Sequence, residues 1–196
     1  MRLKVLGVGS SMNTVSYSTE TLKIVMDMAN QNGADTKILN LNETPLPIYN
    51  TKESSGMMHV NHAVGMVNWA DAIILATPDY HGSMSGSLKN FLDYFWSEFA
   101  GKTFGYICAS HEKGLTVMDQ MRTVVRQCYG WSLPYGISIN SGQDFNEKRQ
   151  ITNKRLLHRI ECFARDLVIY GELIHEQFKK DLKSAINNSY AVHYRT

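Results

Sequence analysis

Five short apolar runs, each continuous rather than alternating, set the tightest limit on how this chain folds. They are Leu3–Val8, Thr36–Asn40, Ala72–Thr77, Thr103–Ala109 and Ser132–Ile139. Alternation marks a strand with one wet face, whereas an unbroken run marks a strand covered on both. Helical patterns separate the runs. Ser18–Gln31 gathers Leu22, Val25, Met26 and Ala29 on one side, and Met57–Trp69 gathers Val60, Ala63, Val64 and Val67. Gly86–Phe99 carries Leu88, Phe91, Leu92, Phe95 and Phe99; Thr116–Tyr129 carries Val117, Met121, Val124, Val125 and Cys128. Ile151–Tyr170 carries Leu156, Leu157, Ile160, Phe163, Ala164 and Leu167. Strands alternating with helices predict an α/β fold with a doubly wound five-stranded parallel sheet, order 2-1-3-4-5, and helices on both faces.

The chain reads as a single domain over residues 1–196, with no internal repeat, low-complexity tract or linker. Gly171 is placed to end the fifth helix in a left-handed conformation. Beyond it, Leu173, Ile174, Phe178, Leu182 and Ile186 fit another amphipathic helix, and Ala191–Thr196 reads as a fraying or swapped tail. Residues 171–196 are thus expected to form a helical extension and tail.

Charge narrows the range of partners. Lys plus Arg number 20 and Asp plus Glu 18, for a net charge of +2. That balance predicts no nucleic-acid footprint, and it argues against a strongly acidic carrier steered to basic partners. No apolar stretch reaches membrane-spanning length, and Met1-Arg2-Leu3-Lys4 leads straight into a strand, so a cytoplasmic protein is expected. Cys108, Cys128 and Cys162 form no C-x-x-C and read as free thiols.

Two loops stand where ligands bind in such a sheet, outside the carboxyl ends of strands. The first, Gly9-Ser10-Ser11-Met12-Asn13-Thr14-Val15-Ser16-Tyr17-Ser18, opens a helix. From Ser10 to Thr19 seven residues carry hydroxyls, and no Lys or Arg occurs between Lys4 and Lys23. Unpaired N–H groups at a helix start, joined by hydroxyls, can hold one phosphate without a cationic side chain. The loop has neither the Walker lysine nor G-x-G-x-x-G. The second loop, Thr77-Pro78-Asp79-Tyr80-His81-Gly82-Ser83-Met84-Ser85-Gly86, combines a stiff strand exit, glycines for close backbone approach, and flat polar-edged rings. Gly82-Ser-Met-Ser-Gly86 has Met84 where a hydrolase G-x-S-x-G has its nucleophile. Together the loops describe a pocket for a phosphorylated, flat, polar ring, which points to flavin mononucleotide (FMN).

The stretch Pro78-x-Tyr80-x-Gly82-Ser83-x-x-Gly86-x-Leu88-Lys89-Asn90-x-x-Asp93 resembles the signature of the NAD(P)H-dependent FMN reductase family, which includes quinone, azo-dye and chromate reductases. The resemblance implies a flavodoxin-like fold and phosphate contacts from Ser10, Ser16 and Ser18, with Asn13 and Tyr17 in the same loop. It implies ring and ribityl contacts from Pro78, Asp79, Tyr80, His81, Gly82 and Ser83. It also implies that the loop Ser110-His111-Glu112-Lys113-Gly114 lines the other edge of the ring, with Ser110, His111 and Gly114 as candidate contacts. Three features depart from the family pattern. Met12 and Asn13 stand where an Arg is usual, His81 where Asn is usual, and the third loop has less glycine. The implied activity is hydride transfer from NAD(P)H through FMN to a quinone, azo compound, free flavin or similar small acceptor, with NADH against NADPH left open. A flavin-binding electron carrier or redox-sensing protein, and a hydrolase using Ser10 or Ser11, are the alternatives.

Other patterns are weaker. His59 and His62 share a helix face without a carboxylate or Cys pattern beside them, so no metal is expected. His111-Glu112 offers an acid–base pair, but a loop beside a flavin explains it equally. Phe91, Tyr94, Phe95, Trp96 and Phe99 are more than one helix face can bury, which predicts a homodimer or homotetramer with this helix at the interface.

Overall fold

The computed structural model describes residues 2–51, 57–185 and 187–195. Its elements are β1 (Lys4–Gly9), α1 (Tyr17–Gln31), β2 (Asp35–Asn40), α2 (Met58–Trp69), β3 (Ala72–Pro78), α3 (Gly86–Asp93), β4 (Thr103–Ala109), α4 (Leu115–Gln127), β5 (Trp131–Ser132), β6 (Ile137–Ile139), α5 (Ser141–Asp144) and α6 (Lys154–Lys183). The pairing is parallel throughout, in the order β2-β1-β3-β4-β5, with β6 also on β4. This is the flavodoxin-like doubly wound sheet that the apolar runs predict.

The central strands β1, β3 and β4 feed both faces, because successive side chains point opposite ways. Leu6, Val8, Ile73, Leu75, Phe104 and Tyr106 meet α2, α3 and α4 on one side. Val5, Ala72, Ile74, Ala76 and Ile107 meet α1 and α6 on the other. Both packed faces are dry, which is why the runs are unbroken.

Three expected elements take a different form. The predicted fifth strand, Ser132–Ile139, is two short strands. Between their ladders only Gly105 and Tyr106 of β4 face four residues, Leu133, Pro134, Tyr135 and Gly136. Pro134 has no N–H to give to the ladder, and the chain bows out around it. The helix expected over Gly86–Phe99 stops at Asp93, and a short 3-10 turn, Ser97–Phe99, follows. The break turns both Phe95 and Phe99 inward, with rings 5.5 Å apart, and Phe99 then sits 5.0 Å from Phe104. Finally, α6 runs through Gly171 instead of ending there. Here glycine serves close approach: a Cβ at this position would stand 2.8 Å from Leu3 Cδ2.

Part of the tail is ordered against the rest of the chain. A 3-10 turn at Tyr190–Tyr194 docks on its own chain. Tyr190 lies 5.6 Å from the Phe178 ring, and its hydroxyl accepts from Trp131 Nε1 at 2.9 Å. Ile186 and Thr196, which the sequence reading placed in this region, lie outside the described residues. Cys108 and Cys128 are buried free thiols, and Cys162 is half-buried. Among the described residues no helix is long and apolar enough to cross a membrane.

Candidate functional site

The carboxyl ends of β1, β3 and β4 release three loops into one cleft of about 310 Å³. Its lining includes Asn13, Ser16, Tyr17 and Ser18 from the first loop, Pro78, Asp79 and Tyr80 from the second, and Ser110 and His111 from the third. Ser11, Val15, Ala109, Ile139 and Ser141 also reach it.

The first loop delivers a helix start to the cleft. Ser16 caps α1, its Oγ accepting from the Thr19 amide at 3.3 Å, and the Ser16 and Ser18 hydroxyls lie 3.0 Å apart. The Glu20 amide bonds to the Ser16 carbonyl. The first-turn amides of Tyr17 and Ser18 have no acceptor within the helix. Among the described residues no Lys or Arg lines the cleft. The Arg149 guanidinium lies over the Tyr17 ring, 4.8 Å from its centre.

Ser10 stands apart from this set. It is fully buried, and all its polar groups are engaged. Its hydroxyl donates to the Ala76 carbonyl at 2.8 Å and accepts from Ser85 Oγ at 2.9 Å. Its amide donates to Ala76 O, and its carbonyl accepts from the Ser85 and Ser87 hydroxyls. Ser10 therefore latches the first loop to the start of α3 and does not line the cleft. The same burial removes it as a hydrolase nucleophile.

The second loop is a tight hairpin. The Tyr80 and Ser83 amides each donate to the other's carbonyl, at 2.9 and 3.1 Å. His81 and Gly82 between them have φ of 57° and 76°. Two successive left-handed residues define a type I′ turn, whose favoured first residue is Asn; His is among the few others that accept this backbone. His81, Gly82 and Ser83 form the turn itself and sit beyond the cleft lining. Two side chains brace it. Asp79 Oδ1 accepts from the Gly82 amide at 2.8 Å, and Asp79 Oδ2 accepts from the Ser110 hydroxyl at 2.7 Å, tying the second loop to the third. From α4, Gln120 Oε1 accepts from Ser83 Oγ and the Met84 amide, and Gln120 Nε2 donates to the Gly82 carbonyl.

In the third loop Gly114 has φ of 58° and caps α4 instead of lining the cleft. A Cβ there would collide with the Cys108 sulfur. Burial, with Asp79 nearby, pushes the Cys108 thiol up to about 12.

Sequence reasoning found the three cleft-forming loops but missed Gln120 and Arg149. These two arrive from distant segments and carry no local signal. On α2 His62 is exposed and His59 half-buried, with His59 Nδ1 3.0 Å from the Pro45 carbonyl. No group of three or more His, Cys, Asp or Glu suited to a metal occurs among the described residues.

A neutral helix start flanked by hydroxyls, beside a braced hairpin at the carboxyl end of a parallel sheet, is the build of a flavin-binding oxidoreductase. The sequence pattern of the NADPH-dependent FMN reductase family matches residues 3–144, and the chain belongs to that family. It is 28% identical over 141 residues to an NADPH azoreductase of Bacillus sp. (strain OY1-2), covering 70% of this chain and 77% of that protein. An FMN-dependent NADPH-azoreductase of Staphylococcus haemolyticus is 28% identical over 150 residues, with the same coverage of 70% and 77%. Among solved structures, the flavoenzyme FerB, an NAD(P)H:acceptor oxidoreductase from Paracoccus denitrificans, superposes with a TM-score of 0.74 at 16% identity, covering 87% of this chain and 98% of that one. The chain is accordingly a flavin-dependent NAD(P)H reductase.

Proposed function

We propose that the cleft holds FMN, that NADPH or NADH donates to it, and that the acceptor is a small quinone, azo compound or free flavin. One observation carries this reading: the first turn of α1 offers unpaired amides and the Ser16 and Ser18 hydroxyls to a cleft with no cation on its walls. That donor set suits a terminal monophosphate. It gives little purchase to the larger anionic charge of a triphosphate.

The residues present fit the cofactor in three roles. Tyr17, Ser18 and Ser16 hold the phosphate, with the Arg149 guanidinium over the Tyr17 ring. Pro78, Asp79 and Tyr80 shape one edge of the ring site, and Asp79 fixes its distance from Ser110 and His111. Ser10, Gln120 and the His81–Gly82 turn act one layer behind, holding the loops in register. FMN, when bound, supplies the chemistry by accepting a hydride from the nicotinamide and delivering two electrons to the acceptor.

We also propose a cytoplasmic homodimer. Phe91, Phe95 and Phe99 are core residues, and the Tyr94 hydroxyl donates to the Pro47 carbonyl at 2.9 Å, which leaves Trp96 as the exposed aromatic of the stripe. Asn90 staples the 46–49 segment along α3 through the Leu46 and Pro47 carbonyls and the Tyr49 amide. Trp96, Ile48 and Tyr49 are exposed by 66%, 87% and 41%. Large apolar side chains left in water favour association.

The protein is tested as purified. It should be yellow, release FMN on denaturation, and bleach anaerobically on addition of NADPH or NADH. A colourless protein that takes up neither FMN nor FAD sinks the reading. Sedimentation tests the assembly: Trp96→Lys should shift a micromolar sample toward monomer, and a wild-type monomer refutes the dimer.

A further inference from the structure

The broken strand at the β5/β6 edge opens a second cavity of about 740 Å³, more than twice the size of the flavin cleft. It shares His111 with that cleft, so a ligand in one is a neighbour of a ligand in the other. We propose that this cavity is the acceptor subsite, and that it takes an aromatic acceptor bearing a carboxylate or other oxyanion. The proposal rests on the assignment of the flavin to the adjoining cleft.

Among the described residues three cations line the cavity, and two of them lie over aromatic rings. The Arg159 guanidinium lies 5.1 Å from the Tyr135 ring centre, with its Nε donating to the Gly136 carbonyl at 2.7 Å. Its two terminal nitrogens have no acceptor among the described residues. The Arg122 guanidinium lies 5.4 Å from the Tyr106 ring and bonds Asp119 through one nitrogen at 2.8 Å. Lys113 adds a third cation from the exposed third loop. Stacked guanidiniums with a free edge are pre-oriented forks for an oxyanion.

Against these cations the walls set two carboxylates, Asp144 and Glu112, one fewer than the positive charges. Asp144 is buried, and its carboxylate accepts from the Asn140 amide at 2.7 Å and Asn153 Nδ2 at 2.6 Å, which turns it toward its own loop. Glu112 lies beside Lys113 on the exposed third loop. Between the cations the walls are apolar and flat: Met118, Leu115, Pro134 and the Tyr135 ring. Tyr135 cannot swing away, because its hydroxyl donates to Asp166 Oδ2 at 2.7 Å. A cavity of this size, mostly apolar with a few oriented charges, matches a small organic ligand. The flat walls select a ring, the guanidiniums select its charge, and the shared His111 wall sets it beside the flavin.

The test uses the FMN-loaded protein and a probe that cannot be reduced, 2-naphthoate, against its neutral amide. The wild type should bind the carboxylate more tightly than the amide by calorimetry. Arg122→Gln with Arg159→Gln should weaken naphthoate about tenfold, the effect of losing charge-assisted hydrogen bonds. In turnover, the KM of a quinone carboxylate relative to that of an uncharged quinone should rise by a similar factor. FMN affinity, read by fluorescence, tests the flavin assignment separately: if FMN fails to bind, that assignment falls whatever naphthoate does. Naphthoate binding equal to that of the amide, or unchanged in the double variant, overturns the proposal. So does a rise confined to the KM of NADPH, which would give the cavity to the donor's phosphates. Should the double variant not fold, Lys113→Gln and the charge-retaining Arg122→Lys with Arg159→Lys take its place, the first expected to weaken naphthoate and the second to retain part of the binding.

Discussion

The loops after β1 and β3 border the same cleft and are held in opposite ways. The first is pinned at Ser10 and then runs to Ser16 through short-range turns, the Asn13 amide on Ser11 Oγ and the Val15 amide on Asn13 Oδ1. It arrives with the Ser16 and Ser18 hydroxyls bonded only to each other and to the helix start, and with the first-turn amides of Tyr17 and Ser18 lacking a helical acceptor. The second closes on itself at Tyr80 and Ser83, and Asp79 and Gln120 take up most of its remaining polar groups. One loop turns a helix start toward the cleft, and the other uses its polar groups to keep a shape. A substitution should therefore act through lost contacts in the first loop and through distortion in the second.

Four measurements break or sharpen that contrast. The largest effect is expected at Gly82. Its φ of 76° strains a β-branched residue, while the space around a Cβ there is open. Gly82→Val should weaken FMN by about 3 kcal/mol through the distorted hairpin, with little change in the unfolding midpoint of the apoprotein. Unaltered FMN affinity would show that the hairpin does not shape the site.

Next comes Ser18→Ala, which should weaken FMN by about 2 kcal/mol from a lost hydrogen bond to a charged group. Ser10→Ala should do the reverse, lowering stability to urea while changing FMN affinity less. Equal effects on FMN would erase the distinction between latch and ligand contact. Asn13→Arg places a cation where the first loop has none, and should tighten FMN by about 0.5 kcal/mol at low salt. The gain should fade at high salt. Weaker binding would place the phosphate elsewhere.

The smallest effect lies far from both loops. His175 sits 3.3 Å from Asp71 near the start of β3, with Lys179, Glu176 and Lys102 also around it. Burial holds the His175 pKa below its ordinary 6.5, outweighing the pull of Asp71. A base with a lowered folded pKa gives its full stability above pH 6.5 and loses it as the pH falls toward the folded value. Wild-type stability should thus decline below pH 6.5 more steeply than that of His175→Gln, with FMN affinity untouched. Parallel pH profiles would refute this.

What could be read from the sequence follows from how local each signal is. The strands of the sheet centre are legible because both their faces are covered, which makes the runs continuous. The two loops are legible because turn residues and hydroxyls cluster within about ten positions. Gly171 misleads because its role is set by Leu3, far away in sequence but packed against α6. Ser10 looks like its hydroxyl-bearing neighbours, and only its contact with Ser85 separates latch from ligand group. Gln120 and Arg149 have no local pattern at all. The split at Leu133–Gly136 is missed although Pro134, which has no N–H for the ladder, stands inside the run read as one strand.

The buried sulfur of Cys108 bears on how such a site ages. Reduced flavin exposed to air yields hydrogen peroxide, and the Cys108 sulfur packs against Gly114 on the strand and loop that carry the Asp79–Ser110 tie. Peroxide attacks thiolates, the entry to the ladder from sulfenic to sulfonic acid. With its pKa pushed up to about 12, Cys108 stays protonated at every pH the cell offers. The chain thus keeps a compact, polarisable atom under its working surface in a form that resists wear by the oxidant made there.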